Sequence, residues 1–116
     1  MISFSLPKKE RLLNRKDFVN LNRIGKRYPS RNFIVIVKEN GLDHSRLGIT
    51  ASKKIGNAVT RNKVKRLIRE FYRLHKTYVP KGLDIVIIAK KGAKGLVFWK
   101  MKDELGEIIL DKTSRV

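Results

Sequence analysis

The stretch AVTRNKVKRLIREFYR (58–73) carries two patterns at once. At about 100° per residue, Val64, Leu67, Ile68, Phe71 and His75 fall within one narrow arc, as on a helix that lies against a core. Lys65, Arg66, Arg69 and Arg73 centre on the opposite side, with Asn62 inside that arc and Arg61 on its flank. A solvated helix face usually mixes signs, because opposite charges four residues apart stabilise a helix and like charges destabilise it. Here Arg61–Lys65, Lys65–Arg69 and Arg69–Arg73 are all like pairs. From Lys53 to Arg73 there are eight basic residues and one acid, Glu70. Such a face costs helix stability, and it suits a polyanion whose phosphates neutralise it.

The rest of the chain agrees. Its 116 residues predict one domain spanning 1–116, able to bury roughly 65% of its unfolded surface. Lysine and arginine number 28 against 10 acids, a net charge of +18. An excess of that size repels itself in a compact fold and points to nucleic acid, or less directly to an anionic membrane. With no cysteine there are no disulfides and no thiolate metal sites. No apolar run reaches the ~18 residues of a membrane span. The expected location is the cytoplasm. A membrane-active helix would leave its apolar face free, whereas this one is followed by LDIVIIA (83–89), a strand that needs covering.

Outward from the basic helix the elements read in order. Asn14 is a helix N-cap, with Asp17 as its capping-box partner and Leu13 with Phe18 at the spacing of a hydrophobic staple. Gly25 stops that helix. NFIVIV (32–37) is a strand apolar on both sides, and RLGITAS (46–52) is the next, joined through ENGLDHS so that the two form a hairpin. The second strand alternates Leu47, Ile49 and Ala51 with Gly48, Thr50 and Ser52, so one of its faces is a floor with room above it. Asn57 caps the basic helix, which ends before Pro80. A last helix places Phe98, Met101, Leu105 and Ile108 or Ile109 on one side and gathers Asp103, Glu104, Glu107 and Asp111. The order α-β-β-α-β-α predicts an α+β fold, an α/β two-layer sandwich.

Catalytic groups are missing from this pattern. Metal-assisted hydrolysis needs clustered carboxylates or histidines, and the acids of the basic half are scattered. His44 lies in a turn, and His75 continues the apolar arc as a partly buried helix residue. There is no Ser/His/Asp set and no Gly-rich nucleotide loop, so no catalytic residue, protein metal site or small-molecule substrate is expected. Just upstream of the helix, SKKIGN (52–57) sets Lys53 and Lys54 beside a helix N-terminus, which itself attracts phosphate. Gly56 and Asn57 serve equally well as a plain strand-to-helix connection.

ASKKIGNAVTRNKVKRLIREFYR (51–73) resembles the signature of the bacterial ribonuclease P protein subunit, whose core reads R-N-x-x-K-R-x-x-R. That core is matched by Arg61, Asn62, Lys65, Arg66 and Arg69. RKDFVNLNRIGKR, RLGITAS and GLDIVIIAKKGA resemble the family's first helix, second strand and third strand, so the likeness covers about residues 8–110. The resemblance implies the small subunit of a ribonucleoprotein that removes 5′ leaders from precursor tRNA. It implies that a catalytic RNA, with the substrate, holds the Mg2+ ions. It also implies a left-handed β-α-β crossover, against the general rule. The arginine-rich helix, with Arg73 at its end, would lie on the catalytic RNA. A cleft between the first helix and the sheet would take the leader, with Phe18, Ile36, Ser52, Lys53, Lys54, Lys90 and Lys91 lining it. Aromatic stacking above a basic groove is the usual grip on a single strand. The chain departs from relatives at Asn22 and Ile36, two places that are often aromatic. Phe33 reads as core. A structural RNA-binding protein, such as a ribosomal component, would share the charge and the lack of catalytic groups.

Overall fold

Two asparagines set the frame of the molecule. In the computed structural model, which describes residues 6–12 and 14–112, Asn14 and Asn57 stand in extended backbone at the starts of two helices. The side-chain oxygen of Asn14 accepts from the N–H of Lys16 at 2.9 Å, and that of Asn57 from Thr60 at 3.0 Å. Each such cap stabilises its helix by about 1 kcal/mol. The first helix, α1, is Arg15–Ile24 and the second, α2, is Ala58–His75. The return bond expected from Asp17 is not made, and the staple expected of Leu13 lies outside the described residues. Gly25 does end α1, in extended backbone.

Four strands follow α1 and interleave with α2. They are β1 (Lys26–Pro29), β2 (Phe33–Glu39), β3 (Arg46–Ala51) and β4 (Leu83–Ala89), and a third helix, α3 (Phe98–Gly106), continues into a π-helical turn, Glu107–Lys112. That wider turn lets the adjacent Ile108 and Ile109 both be buried, where a regular helix would favour one of them.

The strand order is β1-β2-β4-β3, which corrects the expected hairpin. β2 and β3 do not pair. Instead β4 runs between them, antiparallel to β2 and parallel to β3. The physical reason is in the side chains. β4 is apolar on both faces and buried along almost its whole length, so it belongs in the centre. β3, small and polar on one face, is left at an edge. The loop from β2 to β3 therefore straddles the start of β4. Within it the Asn40 N–H donates to the Gly82 carbonyl at 2.8 Å, and the Asn40 amide donates to Asp84 at 2.9 Å. The parallel β3–α2–β4 unit is a crossover through a helix, as parallel neighbours require.

β1 adds an element to the expected order. Its residues KRYP show no apolar alternation, and only its register with β2 makes it a strand, Arg27 facing Ile36 and Tyr28 facing Val35. Charge and a proline suit its edge position.

Helices cover both faces of the sheet. Phe33, Val35, Val37, Ile85 and Ile87 face α2 and α3 and pack with Val64, Ile68, Phe71, Met101 and Leu105. Ile36 and Val86, on the other face, pack with Leu12 and with Leu21 of α1. The class is α+β as expected, with α1 as a separate layer. His75 is half-buried as expected, stacked on Phe71 at 4.7 Å and donating from Nδ1 to the Phe71 carbonyl at 2.8 Å. Burial pushes the Tyr72 hydroxyl up to about 12, so it is neutral in the core.

Asp84 locks the start of β4. It accepts two bonds from Arg46, at 2.8 and 2.6 Å, besides the one from Asn40. This pairing holds the Arg46 guanidinium above its ordinary range. Asp84→Ala is expected to lower stability by about 2–3 kcal/mol, measured by urea melting. That is under the ~3–5 kcal/mol of a fully buried pair because Arg46 stays partly hydrated.

Candidate RNA interface

α2 presents its two faces as the sequence indicates. Val64, Ile68 and Phe71 are buried, while Asn62, Arg66 and Arg69 are exposed and Arg61, Lys65 and Arg73 half-buried. Asn62, Lys63, Arg66 and Arg69 border one shallow groove with Val59. The single acid of this segment does not break the row. Glu70 accepts from Arg73 at 3.0 Å, a pair within one helix turn that fixes Arg73 in place.

Ahead of α2, Ser52 accepts from the Lys54 N–H at 3.1 Å and starts a 3-10 turn, Lys53–Ile55. Ile55 is buried and anchors that turn, leaving Lys53 and Lys54 exposed. Gly56 then takes φ 150°, a backbone conformation that a side chain would strain. So Gly56 is required by geometry, beyond a plain connection.

Phe18 stands on the sheet where the sequence leaves room. A methyl group at Gly48 would lie 2.5 Å from its ring, so the aromatic seats directly on the β3 backbone. The ring is half-buried. It borders a cavity of about 280 Å3 that Leu12, Leu47 and Ile49 line and that carries the guanidinium residues Arg11 and Arg69. Phe18 is thus both a packing residue of α1 and part of an open site. Arg69 reaches the same cavity from α2, so the basic helix and the aromatic meet across the outer edge of β3.

The cross-strand register decides the remaining residues. Gly48, Val86 and Ile36 form one row across the sheet, and Thr50, Ile88 and Ile34 form the next. α1 covers the first row. Ile36 is fully buried there, which corrects its assignment as a cleft contact. The second row is half-exposed. Ile34 and Ile88 belong to the open floor and were missed, because a run apolar on both sides does not reveal which residues face which helix. Ser52 is half-exposed beyond that row. Lys91 is exposed, whereas Lys90 is half-buried with its ammonium donating to the Ser30 carbonyl at 2.7 Å. At the position of the absent second aromatic, Asn22 accepts from Arg27 at 3.5 Å, joining α1 to β1. Phe33 is core, as expected.

Among the described residues no three of His, Asp and Glu converge as metal ligands would. Nor is any helix long and apolar enough to cross a membrane. What the arrangement offers is a row of basic side chains on a helix fixed to the core, beside a cleft floored by the sheet and bordered by an aromatic ring, which defines a class: a basic α+β protein built to hold RNA. Comparison with known proteins narrows this. The family model Ribonuclease P matches residues 6–113. The ribonuclease P protein component of Desulforapulum autotrophicum is 45% identical over 93% of this chain and 92% of its own length. That of Syntrophus aciditrophicus is 41% identical over 100% and 98%. The solved RNase P protein of Thermotoga maritima superposes with a TM-score of 0.81 at 39% identity, over 87% of this chain and 96% of that one. The chain belongs to the ribonuclease P protein family.

Arg66 and Arg69 test the phosphate surface. Both point away from the core, so alanine at either should change stability by no more than ~0.5 kcal/mol. Affinity for the RNA partner should fall, and the plot of log K against log salt should flatten by about 0.7–0.9 for each phosphate no longer neutralised. Unchanged affinity and slope in both variants would mean that the face is merely solvated.

Proposed function

We propose that this chain is the protein subunit of a ribonucleoprotein that removes the 5′ leader from precursor tRNA, acting where those precursors are made, in the cytoplasm. The observation that carries this reading is the junction at the edge of β3. There Arg69, from the arginine face of α2 whose back is locked into the core, shares a cavity with Phe18, which seats on the β3 backbone. In this reading Arg61, Asn62, Lys65, Arg66, Arg69 and Arg73 lie along the catalytic RNA. Phe18, the floor of Thr50, Ile34 and Ile88, and the rim of Ser52, Lys53, Lys54, Lys90 and Lys91 take the leader.

The contribution of the protein is positioning and charge. Each lysine or arginine that neutralises a phosphate releases condensed counterions. A helix whose apolar side is fixed presents those charges with little further loss of freedom. Stacking of a leader base on Phe18 adds binding energy that mature tRNA cannot recover. Magnesium would supply the hydrolytic chemistry. In this reading the RNA and the substrate would hold the ions, and the residues of this chain would bind and orient the precursor around them.

Reconstitution with a ribonuclease P RNA and a precursor tRNA tests the whole. The protein alone should cut nothing, and it should raise cleavage by the RNA at millimolar magnesium. Cleavage by rigorously purified protein without RNA would overturn the accessory role. Binding without any gain in cleavage would favour a purely structural RNA-binding protein.

Phe18→Ala separates the cleft from the helix. Precursor affinity of the reconstituted particle should drop by about 1–3 kcal/mol, with mature tRNA and RNA-subunit binding nearly unchanged. Melting must be followed on the same variant, since truncating a fully buried Phe costs ~3–5 kcal/mol. A large stability loss with equal weakening toward both tRNAs would reduce Phe18 to a packing residue.

A further inference from the structure

One acid of α3 reaches the far end of the sheet, beside the rim of the cleft. Glu104 projects onto the turn that joins β1 to β2. Its carboxylate accepts from the Asn32 N–H at 2.7 Å, from the Asn32 amide at 2.7 Å and from the Ser30 hydroxyl. Three donors from one short turn converge on one anion, and bonds to an ionised acceptor are among the stronger ones in proteins.

That turn in turn holds the end of β4. The Ser30 carbonyl accepts from the Lys90 ammonium at 2.7 Å, and the Asn32 carbonyl accepts from the Lys90 N–H at 2.9 Å. Gly92 closes against the other side of the Asn32 amide, where a side chain would collide with it. Lys90 follows Val86 and Ile88 on the α1 side of the sheet, just past the open row. One carboxylate on α3 therefore fixes, through a single turn, where a lysine stands at the mouth of the cleft.

We propose that Glu104 is a positioning residue for the leader cleft: it sets the Ser30–Asn32 turn, and through it the lysine pair Lys90–Lys91 at the rim. This rests on the cleft being the leader site. Glu104 touches no RNA itself. Its carboxylate is spent on backbone and side-chain donors of the turn, so its role is to hold the turn.

The test uses the reconstituted ribonucleoprotein with precursor and mature tRNA, comparing the unchanged protein with Glu104→Ala, Glu104→Gln, Lys90→Met and the double variant Glu104→Ala/Lys90→Met. Glu104→Ala should weaken precursor binding by roughly 2- to 150-fold, the range of coupling between members of one hydrogen-bond network. Mature tRNA binding and affinity for the RNA subunit should not change. Glu104→Gln, which keeps an acceptor oxygen, should fall between. In the double variant the two losses should overlap rather than add, because both remove the same placement of Lys90. Full additivity, or equal weakening toward precursor and mature tRNA, overturns the proposal alone. Should Glu104→Ala fail to fold, Asn32→Ala and Glu104→Gln supply the same comparison. An unchanged particle that binds both tRNAs equally overturns the leader reading itself, and this proposal with it.

Discussion

Strand β4 is buried on both faces, and a strand of that kind needs helices above and below it. α1 supplies one cover, and α2 with α3 supplies the other. From this follow the central place of β4, the exile of β3 to an edge, and the separation of α1 from α2 by the thickness of the sheet. The edge position of β3 matters most for RNA. Its small residues let Phe18 descend onto the backbone, and its outer side lets Arg69 come round from α2. Had β2 and β3 paired as a hairpin, the aromatic and the arginine row would not share a cavity.

The charge distribution rests on the same frame. A net +18 on a body with a radius of gyration of 13.2 Å stores repulsion. Ion pairs between distant segments offset a little of it, as where Lys76 donates to Glu10 at 3.1 Å. Most of the relief has to come from a polyanion. Binding and stability are then linked, since whatever binds the folded chain alone stabilises it. Two acids tie elements together, Asp84 between β3 and β4 and Glu104 between α3 and the β1–β2 turn, while Glu70 pairs within α2.

Much of this was legible in the residues, and the failures have physical causes. The two asparagine caps, the extent of β4 and the two-sided character of α2 follow from local chemistry, and local chemistry is what a sequence displays. Strand pairing does not. An Asn-Gly turn between two strands reads as a hairpin, and only the need to bury β4 on both sides overrules it. β1 escaped notice because KRYP lacks a pattern of its own and is a strand only by virtue of β2. At the cleft, Phe18, Ser52, Lys53, Lys54 and Lys91 stand on or near an accessible surface. Ile36 was misplaced by one row, since the floor that stays open depends on how far α1 extends over the sheet.

The loop that straddles β4 also governs the order in which the chain can assemble. β2 and β3 share no hydrogen bonds, so when synthesis has reached the end of α2 the sheet consists of β1 and β2 alone, a ribbon of marginal stability in water. The apolar side of α2 has no finished sheet to lie on until Leu83–Ala89 has emerged. Folding is thus deferred to the last third of the chain and then completes the sheet by insertion between two waiting strands. Until that moment the most basic segment of the molecule is a tethered, half-formed cation beside the RNA of the ribosome that is making it.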